Sequence, residues 1–113
     1  MVVEPRTLRI YVTARGVRPF EVWVNSLKDA EAQAQILVRL DRVRLGLLGD
    51  WKPVGEGVGE LRIHVSRGYR VYFGEDGKRV VILLCGGSKA TQGKDIANAK
   101  AYWRDYQNRK YPS

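Results

Sequence analysis

The segment ELRIHVSRGYRVYF, residues Glu60 to Phe73, decides the fold because it contains two strand patterns joined by a turn. In both patterns the apolar side chains recur at every second position. Side chains of a β-strand alternate between the two faces of a sheet, so each strand has one apolar face and one polar face. The turn around Gly68 separates the two patterns. The segment therefore predicts an antiparallel hairpin.

The polar face of this hairpin is unusually basic. Arg62 and His64 alternate with the apolar residues of the first strand, and Arg70 and Tyr72 with those of the second. If the apolar sets face the helices, these four side chains share the open face, and Lys89 follows the next core strand closely enough to join them. Neighbouring arginines repel unless solvent, a carboxylate or a phosphate offsets the charge. The pattern alone allows either an ordinary solvated sheet face or a working surface.

The rest of the chain supplies one more strand pattern before the hairpin and one after it. Residues 7–12 predict a first short strand, and VVILLC (residues 80–85) predicts a central strand because it is apolar on both faces. Asp76-Gly77 is a strong hairpin signal before that run. DWKPVGEGVG (residues 50–59) is interpreted as a connector.

Three helices are expected. Pro19 suits the first turn of one helix, and Ser26 to Asp29 forms a capping pattern for the next. That second helix has an apolar face at spacings of four, three and four, and a third helix is expected over about residues 95–109. The predicted order is β-α-α-β-β-β-α, an α+β fold in one domain over residues 1–113, with the last five or so residues frayed. We expect the helices to pack on one face of a small, antiparallel-rich sheet.

The charge of the chain is concentrated in its second half. Twenty Lys and Arg against twelve Asp and Glu give a formal net charge of +8. Residues 57–113 carry eleven basic and five acidic side chains, a net charge of +6. Such an excess favours a polyanion or an acidic protein as partner. No apolar run approaches the ~18 to 20 residues that span a bilayer, and no signal peptide or disulfide pattern is evident, so we expect an intracellular, cytoplasmic protein.

The mixture on the polar face suits cleavage of RNA without a metal ion. That reaction needs a base for the 2′-hydroxyl proton, cations for the charge on the phosphate, and an acid for the leaving oxygen. One His and one Cys give no zinc-ligand spacing, so no metal and no cofactor is expected. The segment SKATQGKD (residues 88–95) lacks the first glycine and the final Ser or Thr of a phosphate-binding loop.

Three segments together carry a resemblance to a known family. GELRIHVSRGYRVYF (residues 59–73) and VVILLCGGSKATQGKDIANA (residues 80–99) resemble the addiction-module killer proteins of the RelE/ParE toxin superfamily, in a HigB-like, phage-derived branch. PFEVWVNSLKDAEAQAQILVRL (residues 19–40) is similar to the N-terminal helices of that branch. The resemblance covers about residues 8 to 105.

The resemblance implies a toxin of a type II toxin–antitoxin module, which would cut mRNA on the ribosome and so inhibit translation. By motif position, Arg70 corresponds to the phosphate-stabilising arginine of such nucleases, with Arg62 and Lys89 as further basic groups. His64 or Tyr72 is expected to carry protons, and the general acid and base stay open between them. The expected phosphate-binding and RNA-binding residues are Arg62, Arg67, Arg70, Lys89 and Lys94.

Two other functions remain open. A ParE-like protein would inhibit DNA gyrase by binding it through its helices, and a degenerate toxin would bind only its antitoxin. In every case the resemblance implies a cognate antitoxin, expected to be of the helix-turn-helix type. Operator DNA would be bound only through that partner.

Overall fold

The computed structural model describes residues 4–111, which form five strands and three helices. The fold is α+β, as predicted, and its sheet is mixed. The elements are β1 (Thr7–Ile10), α1 (Pro19–Ser26), α2 (Ala30–Arg44), β2 (Trp51–Gly55), β3 (Val58–Ile63), β4 (Tyr69–Asp76), β5 (Val80–Ser88), a 3₁₀ turn (Lys89–Thr91) and α3 (Gln92–Lys110).

The strands form a single sheet in the order β1-β5-β4-β3-β2. Strand β1 runs parallel to β5, and all other neighbours are antiparallel. The predicted hairpin is confirmed: β3 and β4 pair from Val58↔Gly74 to Ile63↔Tyr69. Strand β5 is buried on both faces, as its apolar run predicts, although β4 occupies the middle of the sheet.

The expectation that all helices pack on one face is wrong. Helices α1 and α2 bury residues such as Ile36 and Leu40 against Leu61 and Val71. Helix α3 covers the opposite face, where Trp103 packs in a second cluster with other buried residues, namely Tyr72, Ile82, Leu84 and Ala99. The apolar run of β5 explains this arrangement, because a strand that is apolar on both faces needs cover on both sides.

A glycine in β4 allows α3 to approach the sheet closely. A Cβ atom at Gly74 would lie 2.4 Å from Cε3 of Trp103, well inside van der Waals contact. A side chain at this position would therefore push the helix away from the strand. Trp103 also stacks on Tyr106, with ring centroids 5.2 Å apart. The packing fixes α3 over one part of the sheet and leaves the rest of that face uncovered by this helix.

The predicted connector at residues 50–59 contains an unpredicted strand, β2, which pairs with β3. Pro53 and Gly55 hide the strand pattern, but proline is tolerated on an edge strand, and the register shifts between these two residues. The capping pattern is also corrected. The side chain of Asp29 caps α2 by accepting from Ala32 N at 3.0 Å, whereas Ser26 ends α1 and donates to Trp23 O at 2.6 Å.

The C-terminal part of α3 is firmly attached to the sheet. Within the tail that the sequence predicts to be frayed, α3 continues to Lys110 and the Tyr111 hydroxyl donates to Asp76 at 2.7 Å. The remaining residues of that tail, 112 and 113, lie outside the described residues. Within residues 4–111, no helix combines the length and the apolar character that crossing a membrane requires.

Candidate functional site

Arg62 and Arg70 lie directly opposite each other on β3 and β4. Like charges at such positions repel, and one buried carboxylate compensates for them here. Glu60 is fully buried, and its Oε1 lies 3.3 Å from Arg62 Nε and its Oε2 3.6 Å from Arg70 Nε. The carboxylate therefore lies within ion-pair distance of both guanidinium groups.

Glu60 is the centre of a polar network between the sheet and α3. Its Oε2 also accepts from the Tyr72 hydroxyl at 3.1 Å and from Gln92 Nε2 at 2.9 Å. Burial by itself would raise the pKa of Glu60. The hydrogen bonds from Gln92, Arg62 and Tyr72 and the charge of Arg70 outweigh burial, so the pKa lies below its usual value. Glu60 is thus held ionised and supports the arginines.

Arg70 is the more enclosed of the two arginines. Its side chain is 13% exposed, against 33% for Arg62. Nε of Arg70 is buried and, within residues 4–111, has no hydrogen-bond partner, because 3.6 Å to Glu60 is too long for one. With one carboxylate beneath two guanidinium groups, this part of the surface keeps an excess of positive charge.

His64 follows β3 and pairs with a carboxylate from a distant part of the chain. Its Nε2 lies 2.5 Å from Oδ2 of Asp50, and its side chain is 74% exposed. The hydrogen bond from His64 is the main reason that the pKa of Asp50 is lowered. If Nε2–H donates to Asp50, Nδ1 is left as the proton acceptor.

The backbone of Asp50 is held in place by two other residues. Arg62 N donates to Asp50 O at 2.9 Å, which continues the pairing of β2 with β3. The guanidinium of Arg39 on α2 donates to the carbonyl oxygens of Asp50 (2.6 Å), Leu48 (2.8 Å) and Arg62. Burial lowers the pKa of Arg39. Helix α2 thus fixes the segment that carries the partner of His64.

The turn between β3 and β4 brings Lys89 to the same region. Gly68, at the end of that turn, accepts a backbone hydrogen bond from Lys89 N at 3.3 Å. Ser66 has a positive φ of 51° and donates from its hydroxyl to Asp29 Oδ2 at 2.6 Å, which ties the turn to the start of α2. The turn is therefore attached both to the end of β5 and to the start of α2.

These residues line a cleft of about 360 Å³, called here the arginine cleft. Its walls are formed by Arg62, Ile63, His64, Ser66, Arg67, Gly68, Tyr69, Arg70 and Lys89. Five of the predicted site residues therefore come together, although they derive from two strands, a turn and the start of the 3₁₀ turn. Within the described part of the chain, no carboxylate side chain lines this cleft.

Two predicted residues lie elsewhere. Lys94 faces a neighbouring cleft. Tyr72 is fully buried under α3, so the expectation that it shares the open surface is corrected. Burial, followed by the charge of Glu60 and the hydrogen bond to it, raises the pKa of Tyr72 far above its usual value. Its hydroxyl supports Glu60 and is not presented to a ligand in the cleft.

Three contributing residues were not identified from the sequence: Glu60, Asp50 and Gln92. Glu60 shares the period-two spacing of Arg62 and His64, so alternation could have placed it on the same face as the arginines. Asp50 and Gln92 reach the site only through tertiary packing. Among the described residues, no three His, Cys, Asp or Glu side chains converge in a group that could hold a metal ion.

Residues 23–105 match the family described as Phage derived protein Gp49-like. The chain belongs to this family. It is also similar to an uncharacterised protein of Haemophilus influenzae, with 48% identity over 81 residues that cover 72% of this chain and 82% of the relative. The family match includes every residue that lines the arginine cleft.

Proposed function

We propose that the chain is the toxin of a type II toxin–antitoxin module and that it cleaves mRNA on the ribosome in the cytoplasm. One observation carries this proposal: the arginine cleft gathers Arg62, His64, Arg67, Arg70 and Lys89, and no acidic side chain of residues 4–111 lines its walls. The phage-derived family and the RelE/ParE resemblance of the sequence support it.

In this proposal the arginines bind the phosphate. Arg62 and Arg70 approach from adjacent strands, and planar guanidinium groups bind the oxygens of a phosphate in bidentate fashion. Negative charge grows on those oxygens when the phosphorus becomes five-coordinate, so preorganised cations stabilise the transition state more than the ground state. Lys89 adds a further positive charge at the same cleft.

His64 is proposed as the base. Its imidazole takes the proton of the RNA 2′-hydroxyl, the 2′-oxygen bonds to the adjacent phosphorus, and the bond from phosphorus to the 5′-oxygen breaks. Water donates a proton to that oxygen, which completes the reaction and leaves a 2′,3′-cyclic phosphate and a 5′-hydroxyl end. Asp50 keeps His64 in the required tautomer and stabilises the imidazolium, as carboxylates do in other histidine-containing sites.

The partners are part of the same proposal. We expect a cognate antitoxin of the helix-turn-helix type, with operator DNA bound only by the complex. The outer sides of α1 and α2 and the loop after α2 expose several large apolar side chains that a protein partner could cover. They are Val22, Leu37, Val38, Leu45 and Leu47.

The test is translation in a cell-free extract, with mRNA ends mapped in the presence and absence of ribosomes. Arg70→Met should reduce cleavage by about 10²-fold or more, because one transition-state donor is lost. The matched control is Arg104→Met on α3, which removes an exposed arginine that pairs with Glu56 at 3.0 Å. We expect this control to cleave normally.

Three results would contradict the proposal. Undiminished cleavage by Arg70→Met would exclude the arginine cleft as the active site. Inhibition of DNA supercoiling by purified gyrase, without any ribosome-stimulated cleavage, would show the ParE-like function instead. A protein that is harmless when expressed without its antitoxin would indicate a degenerate toxin.

A further inference from the structure

A second, larger cleft adjoins the arginine cleft. It has a volume of about 850 Å³ and lies between the α1–α2 junction and the start of α3, over the end of β5. Ser66, Arg67 and Tyr69 line both clefts, so the two are continuous at the turn between β3 and β4. A ligand bound at the arginines could therefore extend into the second cleft without leaving the protein surface.

The floor of the second cleft is backbone that carries no side chain. A Cβ atom at Gly86 would lie 2.3 Å from the ring of Trp23, and one at Gly87 would lie 1.8 Å from Asp95 Oδ2. The two glycines thus allow Trp23 and Asp95 to close over the end of β5 from its two faces. Trp23 is half-buried, and its ring lies 6.2 Å from that of the buried Tyr69, so Trp23 is the aromatic side chain that a base in this cleft can reach.

At the second cleft the carboxylates have hydrogen-bond partners, whereas the cations have no ion-pair partner among residues 4–111. Both carboxylates accept hydrogen bonds within the protein. Asp29 accepts from Ala32 N and Ser66 Oγ, and Asp95 accepts from Thr91 Oγ1 at 2.5 Å. The cations of the cleft, in contrast, form no ion pair within 4 Å among residues 4–111. These cations are Lys28, Arg67 and Lys94. Hydrogen bonds leave the two carboxylates charged, but the three cations outnumber them, so the cleft favours an anionic ligand with flat, stackable groups.

We propose that the second cleft binds the nucleotides that flank the phosphate held by Arg62 and Arg70, and that the ligand is single-stranded RNA. This inference rests on the proposed function, because the arginine cleft sets the register of the strand. Aromatic side chains beside unpaired cations are the usual means of binding single strands, since every base has a face that can stack. A volume of 850 Å³ lies in the range of ligand sites and accommodates more than a single small group.

The test uses the full chain and a 2′-O-methyl RNA hexamer, which cannot be cleaved through its 2′-oxygens. Binding is measured by fluorescence anisotropy between 50 and 200 mM salt. The variant is Lys28→Gln/Lys94→Gln. The matched control is Lys52→Gln/Lys78→Gln, which removes two exposed lysines from β2 and from the β4–β5 turn.

We expect the Lys28/Lys94 variant to bind about five- to tenfold more weakly. The slope of log K against log salt should fall by about 1.4, because each lost contact to a single strand contributes about 0.7. The control should bind like the unmodified protein. A 4-thiouridine placed beside the central phosphate should crosslink to the segments 23–29 or 86–95.

The outcomes separate this inference from the proposed function. Suppose that Arg62→Met/Arg70→Met abolishes RNA binding, but Lys28→Gln/Lys94→Gln binds RNA as tightly as the Lys52→Gln/Lys78→Gln control. The second cleft is then not an RNA site, and the proposed function is unaffected. If binding requires Lys28 and Lys94 but survives Arg62→Met/Arg70→Met, the second cleft binds RNA and the proposed function is contradicted. Equal affinity for a polyglutamate peptide of the same charge would overturn RNA as the occupant.

Discussion

The two ends of the sheet differ in how many of their charged side chains form ion pairs. At one end, called here the paired end, β4 terminates at Asp76 and β5 begins at Val80. The acidic side chains at this end are matched with cations, in the pairs Glu4–Arg79, Glu75–Arg6, Glu56–Lys100, Glu56–Arg104 and Asp76–Lys110. At the other end, where β4 begins at Tyr69, two arginines share one carboxylate, and Arg67, Lys89 and Lys94 form no ion pair within the described part of the chain.

The comparison shows that the net charge does not locate the site by itself. Residues 57–113 carry +6, but several of their basic side chains belong to the paired end, where exposed pairs hold α3 and the chain start against the sheet. What distinguishes the cleft end is the shortage of partners for its cations. A surface that lacks acidic partners is the one that can take an anion from outside.

The largest effect is expected at Glu60. Glu60→Ala would leave Arg62 and Arg70 facing each other without compensation and would remove the acceptor of Tyr72 and Gln92. Breaking a buried ion pair on one side costs about 3–5 kcal/mol, so we expect a loss of that size in the free energy of unfolding. Urea denaturation measures it. Glu60→Gln keeps the hydrogen bonds from Tyr72 or Arg62 and should lose less; a cost below 1 kcal/mol for the alanine variant would show that the network does not support the fold.

The next largest effect is expected at the paired end. Asp76 accepts from Tyr106 at 2.5 Å, from Tyr111 at 2.7 Å and from Lys110. Asp76→Ala should lower the free energy of unfolding by about 2 kcal/mol, because hydrogen bonds to a charged group are lost. RNA cleavage per folded molecule should not change. Reduced cleavage by a fully folded Asp76→Ala protein would mean that the two ends are coupled.

A smaller effect, on activity alone, is expected at Asp50. Asp50→Asn removes the carboxylate that orients His64 but leaves the arginines and the backbone contacts of Arg39. We expect cleavage to fall about tenfold, with the binding of uncleavable RNA unchanged, since the loss concerns proton transfer. The pH profile of cleavage should also change. An equal loss in RNA binding would assign Asp50 a structural role instead.

The smallest effect is an acid-induced difference between Asp76→Asn and the unmodified protein. Hydrogen bonds from Lys110, Tyr106 and Tyr111 lower the pKa of Asp76, and one from Tyr11 lowers that of Asp105. Their stabilisation is complete above the unfolded pKa of about 3.9 and is lost as the pH falls towards the folded value, because the unfolded chain binds protons first. Denaturation at several pH values should give a shallower decline for Asp76→Asn below pH 4. Identical slopes would contradict the assignment.

Much of the fold follows from patterns within single elements. The hairpin from Glu60 to Phe73, the apolar face of α2 and the apolar run of β5 each follow from the local spacing of side chains. The side of the sheet that α3 occupies does not, because a helix pattern does not say which face it covers. Strand β2 was not predicted because Pro53 interrupts its strand pattern. Proline is tolerated here because β2 lies at the edge of the sheet.

The site residues likewise fall into those that local spacing predicts and those that only tertiary packing reveals. The placement of Arg62, His64 and Arg70 on one face could be predicted, because strand alternation depends only on the local sequence. The partners that determine their chemistry come from distant segments: Asp50 from the loop before β2 and Gln92 from the start of α3. Alternation also placed Tyr72 correctly on the arginine face, but only packing shows that α3 covers it.

The unpartnered Nε of Arg70 has a consequence for selection. A buried N–H without an acceptor costs about 1–3 kcal/mol, and this cost offsets part of the stabilisation that the charge of Arg70 gives to the buried Glu60, so Arg70→Met should destabilise the chain less than Glu60→Ala. Selection for stability alone would therefore retain this arginine only weakly. Its retention in a lineage would be a sign that the activity is still under selection, whereas its loss would mark copies that persist only as folded remnants.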